Sequence, residues 1–223
     1  QLRKLANKMF DDFVTKFYTL SNPFSSIKKQ KLQQSEIVII PNNHSASIKE
    51  NIKSNYTKTR AEFYIDYITL LEKLALRPGE LAAIIKRNIL LMENEAMAML
   101  QITSTKNYKN HLVPVAGEAY KILIKYYHKA KSFDDHLFPG RIILLKDENN
   151  KPIKDDRGKY KTKHCHFSVD TISKVFKMAC KNLNLPSNYC LYALRATCAS
   201  KLYTAGLPLQ EISRFLNHSN TQV

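Results

Sequence analysis

Four stretches of this chain carry side chains suited to handling an anion. Leu76-Arg77-Pro78-Gly79-Glu80-Leu81 sets an arginine three residues before a glutamate, and Lys106-Asn107-Tyr108-Lys109-Asn110 places two lysines in one polar run. Leu191-Tyr192-Ala193-Leu194-Arg195 spaces a phenol and an arginine by three, and Ile212-Ser213-Arg214-Phe215-Leu216-Asn217-His218-Ser219 brings in a histidine. Guanidinium forks are permanently charged and grip an anion's oxygens two at a time, so these types suit negative charge building on phosphate oxygens. An ammonium or imidazole nearby can supply a proton. Taken singly, each has a plainer use: Arg77 as a surface ion-pair partner, Lys106 as a solvated lysine, Tyr192 as core, His218 as a cap on helix carbonyls. The metal-binding types of His164-Cys165-His166 point the other way, but alternate residues of an extended segment face opposite sides and no second pair stands at ligand spacing. A structural role is the better reading there. Cys165, Cys180, Cys190 and Cys198 lack a CxxC spacing and are read as reduced, mostly buried thiols.

Taken in order, these stretches resemble the tyrosine recombinase, or phage integrase, family. That family writes His-x-x-Arg, a helix, a glycine turn and a Leu-Gly-His-Ser box, preceded by a Gly-x-Arg-x-x-Glu segment and by a lysine in a β-turn ahead of a Val-Pro element. Arg195 matches the second arginine, His218 the box histidine, Arg77 and Glu80 the upstream segment, and Lys106 the turn lysine ahead of Leu112-Val113-Pro114. Ala75 departs from the usual glycine, and Tyr192 stands where the family has histidine. Three separated matches in the right order are far more specific than any one, and they span residues 60 to 223.

The resemblance implies an α+β, mostly helical fold with a small antiparallel sheet, and a site-specific recombinase that cuts and rejoins double-stranded DNA through a 3′-phosphotyrosine intermediate. Arg77 and Arg195 would clamp the scissile phosphate, while Lys106, with Lys109 as rival, would protonate the leaving 5′ oxygen. His218 would donate a hydrogen bond to the phosphate, and the Tyr192 hydroxyl could do likewise. Glu80 would orient the site, since a carboxylate beside phosphate repels it. Neither a metal nor any other cofactor is implied. The nucleophilic tyrosine is expected about two and a half helical turns after the box histidine, beyond Val223. Tyr203, on an expected core face, is a poor substitute. Four protomers are expected on two recombining duplexes, and a monomer without DNA. The competing reading is a non-catalytic helix-turn-helix regulator, because Gly206 to Val223 also fits that grammar; it leaves Arg77 and the turn lysine unexplained.

The rest of the chain must hold these stretches together. Its 223 residues, 44% hydrophobic, are enough to bury a core. With 35 Lys and Arg against 19 Asp and Glu, the formal charge of +16 favours a polyanionic partner, nucleic acid by default. No apolar run reaches the roughly 18 residues of a membrane span, so the protein is expected to be soluble, cytoplasmic and DNA-associated. The opening Gln suggests an excised or processed piece.

Leu5, Met9, Phe13 and Phe17 recur at helical spacing until Asn22-Pro23, and residues 1–31 are read as the last helix of a core-binding domain. Ile37 to Ile40 is a strand candidate, and the polar stretch from Asn42 to Thr59 is read, within 32–59, as a linker or arm. Residues 60–223 are read as the catalytic domain lacking its C-terminal segment. Its expected elements are a helix through Leu74, a second from Pro78 through Ile89, a hairpin of Ala96 to Thr103 with His111 to Val115, and a helix from Glu118 to Lys131. A strand from Arg141 to Leu145 follows, and helices at Val169 to Asn182, Leu191 to Ala205 and Leu209 to Leu216 close the chain. Between the last strand and helices, Lys151, Lys154, Arg157, Lys159, Lys161 and Lys163 lie on an exposed loop or extended hairpin suited to DNA.

Overall fold

The computed structural model describes residues 2–16, 18, 21–23, 37–92, 96–103, 110–148 and 150–217. The chain divides into two compact units, residues 1–36 and 37–223. In the first, helix α1 (Leu2–Thr15) carries an edge-to-face pair of Phe10 and Phe13. The Asn22 amide reaches back to the Asn7 carbonyl (3.1 Å) and to Asp11 Oδ1 (2.7 Å), which fastens the Asn22-Pro23 turn onto the helix.

The second unit begins with two departures from expectation. Residues 37–40 join no sheet; the Ile40 N–H donates to Thr197 Oγ1 (2.9 Å), whose own proton goes to the Ala193 carbonyl (2.8 Å). A side chain satisfies the backbone where a ladder was expected. The stretch expected to be an arm is helix α2 (Asn42–Asn55), whose Ser45, Ile48 and Ile52 share one buried face. The linker reading fails because two isoleucines and a serine suffice once charge compensation is added: Glu72 accepts from Ser45 Oγ and from Lys49 Nζ (2.5 Å). The packed body therefore starts at Ile37 rather than at residue 60.

Helix α3 (Lys58–Leu74) runs through the core and ends on Ala75, left-handed at φ 50°. Tyr67, Leu70 and Leu71 are fully buried on it. The Tyr67 hydroxyl donates to the Pro78 carbonyl (2.6 Å) and so pins the start of helix α4 (Pro78–Ala83) against α3. The expected long helix stops at Ala83 because the next residues are drawn into extended pairing. Leu137 N–H donates to the Ile84 carbonyl (3.0 Å), Ile85 bridges His136, and Asn88 Oδ1 takes the Ile85 N–H (3.0 Å), closing a 3-10 turn. Strand β1 (Ile89–Leu91) follows, a strand the helical spacing concealed.

Strands β1, β2 (Met97–Thr103) and β3 (Asn110–Ala116) form an antiparallel sheet in that order, with Met97 opposite Ala116 and Thr103 opposite Asn110. The expected hairpin is present. Helix α5 (Gly117–Lys129) covers the sheet. Strands β4 (Pro139–Leu144) and β5 (Thr162–His166) make a second antiparallel pair that extends outward through bridges Lys146–Pro152 and Lys154–Tyr160. Gly140 is required at its base: a Cβ there would stand 2.4 Å from the His166 carbonyl oxygen. Helices α6 (Val169–Asn182), α7 (Leu191–Thr204) and α8 (Leu209–Phe215) complete the unit. Phe63, Tyr67, Tyr126, Phe138 and Phe167 interlock largely edge to face at its centre, the geometry aromatic quadrupoles favour. Among the described residues, no helix is long and apolar enough to cross a membrane.

Candidate active site

The end of α3, the start of α4 and the first turns of α7 meet the end of α8, and the basic side chains gather at that junction. Arg77 is the N-cap of α4, with Pro78 in the first helical position where no N–H is needed. Glu80 then closes back on it: Oε2 accepts the Arg77 backbone N–H (2.9 Å) and Oε1 accepts from Nη1 (2.6 Å). Both carboxylate oxygens are engaged by one residue, and the guanidinium is held in a single orientation while its side chain stays 33% exposed.

Arg195 lies on the second turn of α7 and is only 5% exposed. Its Nη1 donates to the Ala75 carbonyl (2.6 Å) and its Nη2 to the Leu216 carbonyl. These are the C-cap residues of α3 and α8, and unsatisfied carbonyls at a helix C-terminus carry the negative end of its dipole. One buried cation thus answers two helix ends. A guanidinium has five N–H donors, more than two carbonyls use.

Tyr192 precedes Arg195 by three residues on α7, so the two share a helix face. The structure corrects its single-residue reading as core: Tyr192 is 54% exposed, and its phenol lies in the electrostatic neighbourhood of the Arg77 guanidinium. Burial works to lower the Arg77 pKa, but the hydrogen bond and charge of Glu80, then Tyr192, carry it above its ordinary value. Arg195 is displaced downward, first by burial and then by the Arg77 charge, with Glu80 and Tyr192 opposing. Both arginines remain cations, and each lies within the other's electrostatic neighbourhood.

Sequence reasoning missed His111. It occupies the inward face of β3 with the buried Val113 and Val115, and its Nδ1 lies 3.1 Å from the Asn217 side-chain amide. Burial lowers its pKa; Glu80 opposes this, while Arg195 and Arg77 reinforce it. The available signal was the alternation itself, which puts an ionisable ring in line with two valines.

The structure therefore brings Arg77, Glu80, Tyr192 and Arg195 together and adds His111. Lys106, Lys109 and His218 lie outside the described residues, as does the side chain of Lys163. Lys151, Lys154, Arg157, Lys159 and Lys161 are exposed along the ribbon that extends β4 and β5. Tyr203 is 60% exposed, so its expected core position is wrong: it sits on the outer side of the last α7 turn. All four cysteines are free, Cys180 and Cys198 buried, Cys165 and Cys190 half-buried. No group of three metal-ligating side chains occurs among the described residues.

The family profile described as "Phage integrase family" matches residues 27–223. No curated protein matches the chain in sequence. Among solved structures, the chain is similar to a lambda integrase (75–356) dimer bound to a COC′ core site, at 14% identity and TM-score 0.64, over 98% of this chain and 70% of that one. It is similar to the Tn1549 transposon integrase in complex with circular intermediate DNA, at 17% identity and TM-score 0.60, over 98% and 70%. XerA recombinase follows at 19% identity and TM-score 0.56, over 84% and 58%. The fold is the α+β, mostly helical catalytic fold of the tyrosine recombinases.

Proposed function

Because the chain belongs to the phage integrase family, we propose that it is the catalytic part of a site-specific recombinase that cuts and rejoins double-stranded DNA through a 3′-phosphotyrosine bond, with no metal. The observation that carries this reading is the meeting of Arg77 and Arg195, far apart in sequence, at the junction of α4 and α7. In-line attack by a tyrosine oxygen on phosphorus breaks the bond to the 5′ oxygen, and negative charge accumulates on the non-bridging oxygens. Two guanidiniums held in place beforehand stabilise that charge without reorganising. Glu80 keeps Arg77 aimed, and the exposed Tyr192 hydroxyl donates to a phosphate oxygen from the position where the family has histidine. Lys106, with Lys109 as the alternative, protonates the departing 5′ oxygen, and His218 donates to the phosphate. The nucleophile in this reading is a tyrosine about two and a half helical turns after His218.

The cations of the β4–β5 ribbon, Lys151 to Lys163, bind DNA backbone. Residues 1–31 are the end of a core-binding domain, and four protomers act on two duplexes; a lambda integrase tetramer bound to a Holliday junction has the same fold. The protein works in the cytoplasm, on DNA.

The test uses the protein extended through the residues encoded after Val223, with a nicked duplex carrying its site. A covalent adduct at the 3′ phosphate is expected. Arg77→Ala and Arg195→Ala should each lower cleavage by a factor on the order of a hundred while DNA affinity stays nearly unchanged. Tight binding with no adduct would favour the helix-turn-helix regulator.

A further inference from the structure

Helix α8 ends at Phe215, Leu216 caps it, and Asn217 turns the chain in the left-handed region at φ 48°. Glycine is the usual residue there and asparagine the next best; the family's box writes glycine. Asparagine makes the same turn but adds a side-chain amide, and that amide meets His111 on β3 at 3.1 Å. The preceding carbonyl, Leu216, is already held by Arg195. Two successive residues before His218 are thus tied to the arginine cluster, one by a guanidinium and one by an imidazole.

We infer that His111 is a positioning residue whose neutral imidazole, through Asn217, holds the turn leading into His218. The inference rests on the recombinase reading for its catalytic consequence, though not for the contact itself. An amide nitrogen only donates, so Nδ1 accepts and the ring carries its proton on Nε2. The surroundings favour that form. The charged groups acting on His111 are Arg77 and Glu80 from α4 and Arg195 from α7, two cations against one carboxylate; its partner on β2 is the uncharged Ile102. Adding a proton at Nδ1 would set donor against donor and place a third positive charge beside two guanidiniums. The hold is present when His111 is neutral and lost when it is charged.

Three variants test this. Asn217→Gly keeps the left-handed turn and removes the amide; His111→Leu removes the acceptor; His111→Asn places a non-titrating oxygen near the position of Nδ1. In the protein extended past Val223, Asn217→Gly and His111→Leu should each slow single-turnover cleavage about two- to tenfold, the worth of one hydrogen bond. The double variant should be no slower than either, with DNA affinity unchanged. His111→Asn should restore the rate and abolish the loss of activity expected of the parent as pH falls below the ordinary imidazole value and His111 becomes charged. Fully multiplicative losses, or an acid limb that survives His111→Asn, would overturn the inference. A readout independent of cleavage is nitrogen NMR of the His111 ring in the chain itself. The Nε2–H tautomer is expected, with a titration midpoint that rises in Asn217→Gly because the donor to the neutral ring is gone. A ring protonated on Nδ1, or a midpoint that does not move, overturns the contact whatever the enzyme does. A parent that forms no adduct, yet shows both NMR results, would instead overturn the recombinase reading alone.

Discussion

Replacing Arg195 by alanine should cost folding stability as well as catalysis, because the guanidinium closes two helix ends. Ala75 and Leu216 are 1% and 6% exposed, so removing the donors strands two carbonyls away from water. A buried acceptor left without its partner costs about 1–3 kcal/mol, for a gross loss of about 2–6 kcal/mol. Two effects offset part of this. The arginine's own desolvation and its repulsion from Arg77 disappear with it, and water can enter the vacated space and serve one carbonyl. A net loss of about 2–4 kcal/mol remains, which in a unit of this size lowers Tm by about 4–16 °C. Arg195→Lys keeps the charge but offers a compact ammonium in place of a fork; it should hold one carbonyl and lose about half as much. Urea and thermal unfolding of the three proteins measure this directly. A loss below about 1 kcal/mol for Arg195→Ala, or equal stability of the lysine and arginine forms, would refute the assignment of the guanidinium to the two C-caps. Cleavage by these variants has to be compared well below their melting temperatures, so that lost clamping of phosphate is not confused with unfolding.

Four other outcomes are expected. Ile48→Ala should lower stability by about 2–4 kcal/mol in urea unfolding, since the side chain is wholly buried between α2 and the core; a change under about 0.5 kcal/mol would return residues 42–55 to the status of an arm. Tyr192→Phe should unfold at nearly the parent temperature, its ring being half in solvent, yet cleave more slowly, and Tyr192→His should be tolerated in both assays. His111 has a folded pKa below its ordinary value, so its contribution is complete above pH of about 6.5 and is lost as pH falls from there through the lowered folded value; in His111→Asn this part of the stability profile should flatten. Neutralising Lys151, Lys154 and Arg157 should weaken binding to all DNA sequences alike and flatten the dependence of log affinity on log salt by about 0.9 per phosphate contact removed; an unchanged slope would take the ribbon off the DNA.

Arg77, Glu80, Tyr192 and Arg195 could be picked out from the chain because their motifs, in order, resemble those of the phage integrase family; taken singly, their types and spacing had plainer uses. Helix α6 was legible to the residue, since its apolar face repeats cleanly from Val169 to Cys180, and the β2–β3 hairpin was legible because strands alternate and polar turns interrupt them. What failed to show depends on partners distant in sequence. Helix α2 has too few apolar residues to announce itself and is stabilised through Glu72 of α3. The run from Ile84 to Ile89 has helical spacing but is pulled extended by residues near 137 and by β2. His111 is an unremarked strand residue until α8 delivers Asn217 to it. By itself the sequence named candidate side chains for the proposed chemistry and determined most of the elements that bear them. Only the tertiary structure decided that Arg195 holds two helix ends and that an imidazole meets the turn before His218, because a hydrogen bond between remote residues leaves no periodic trace in the chain.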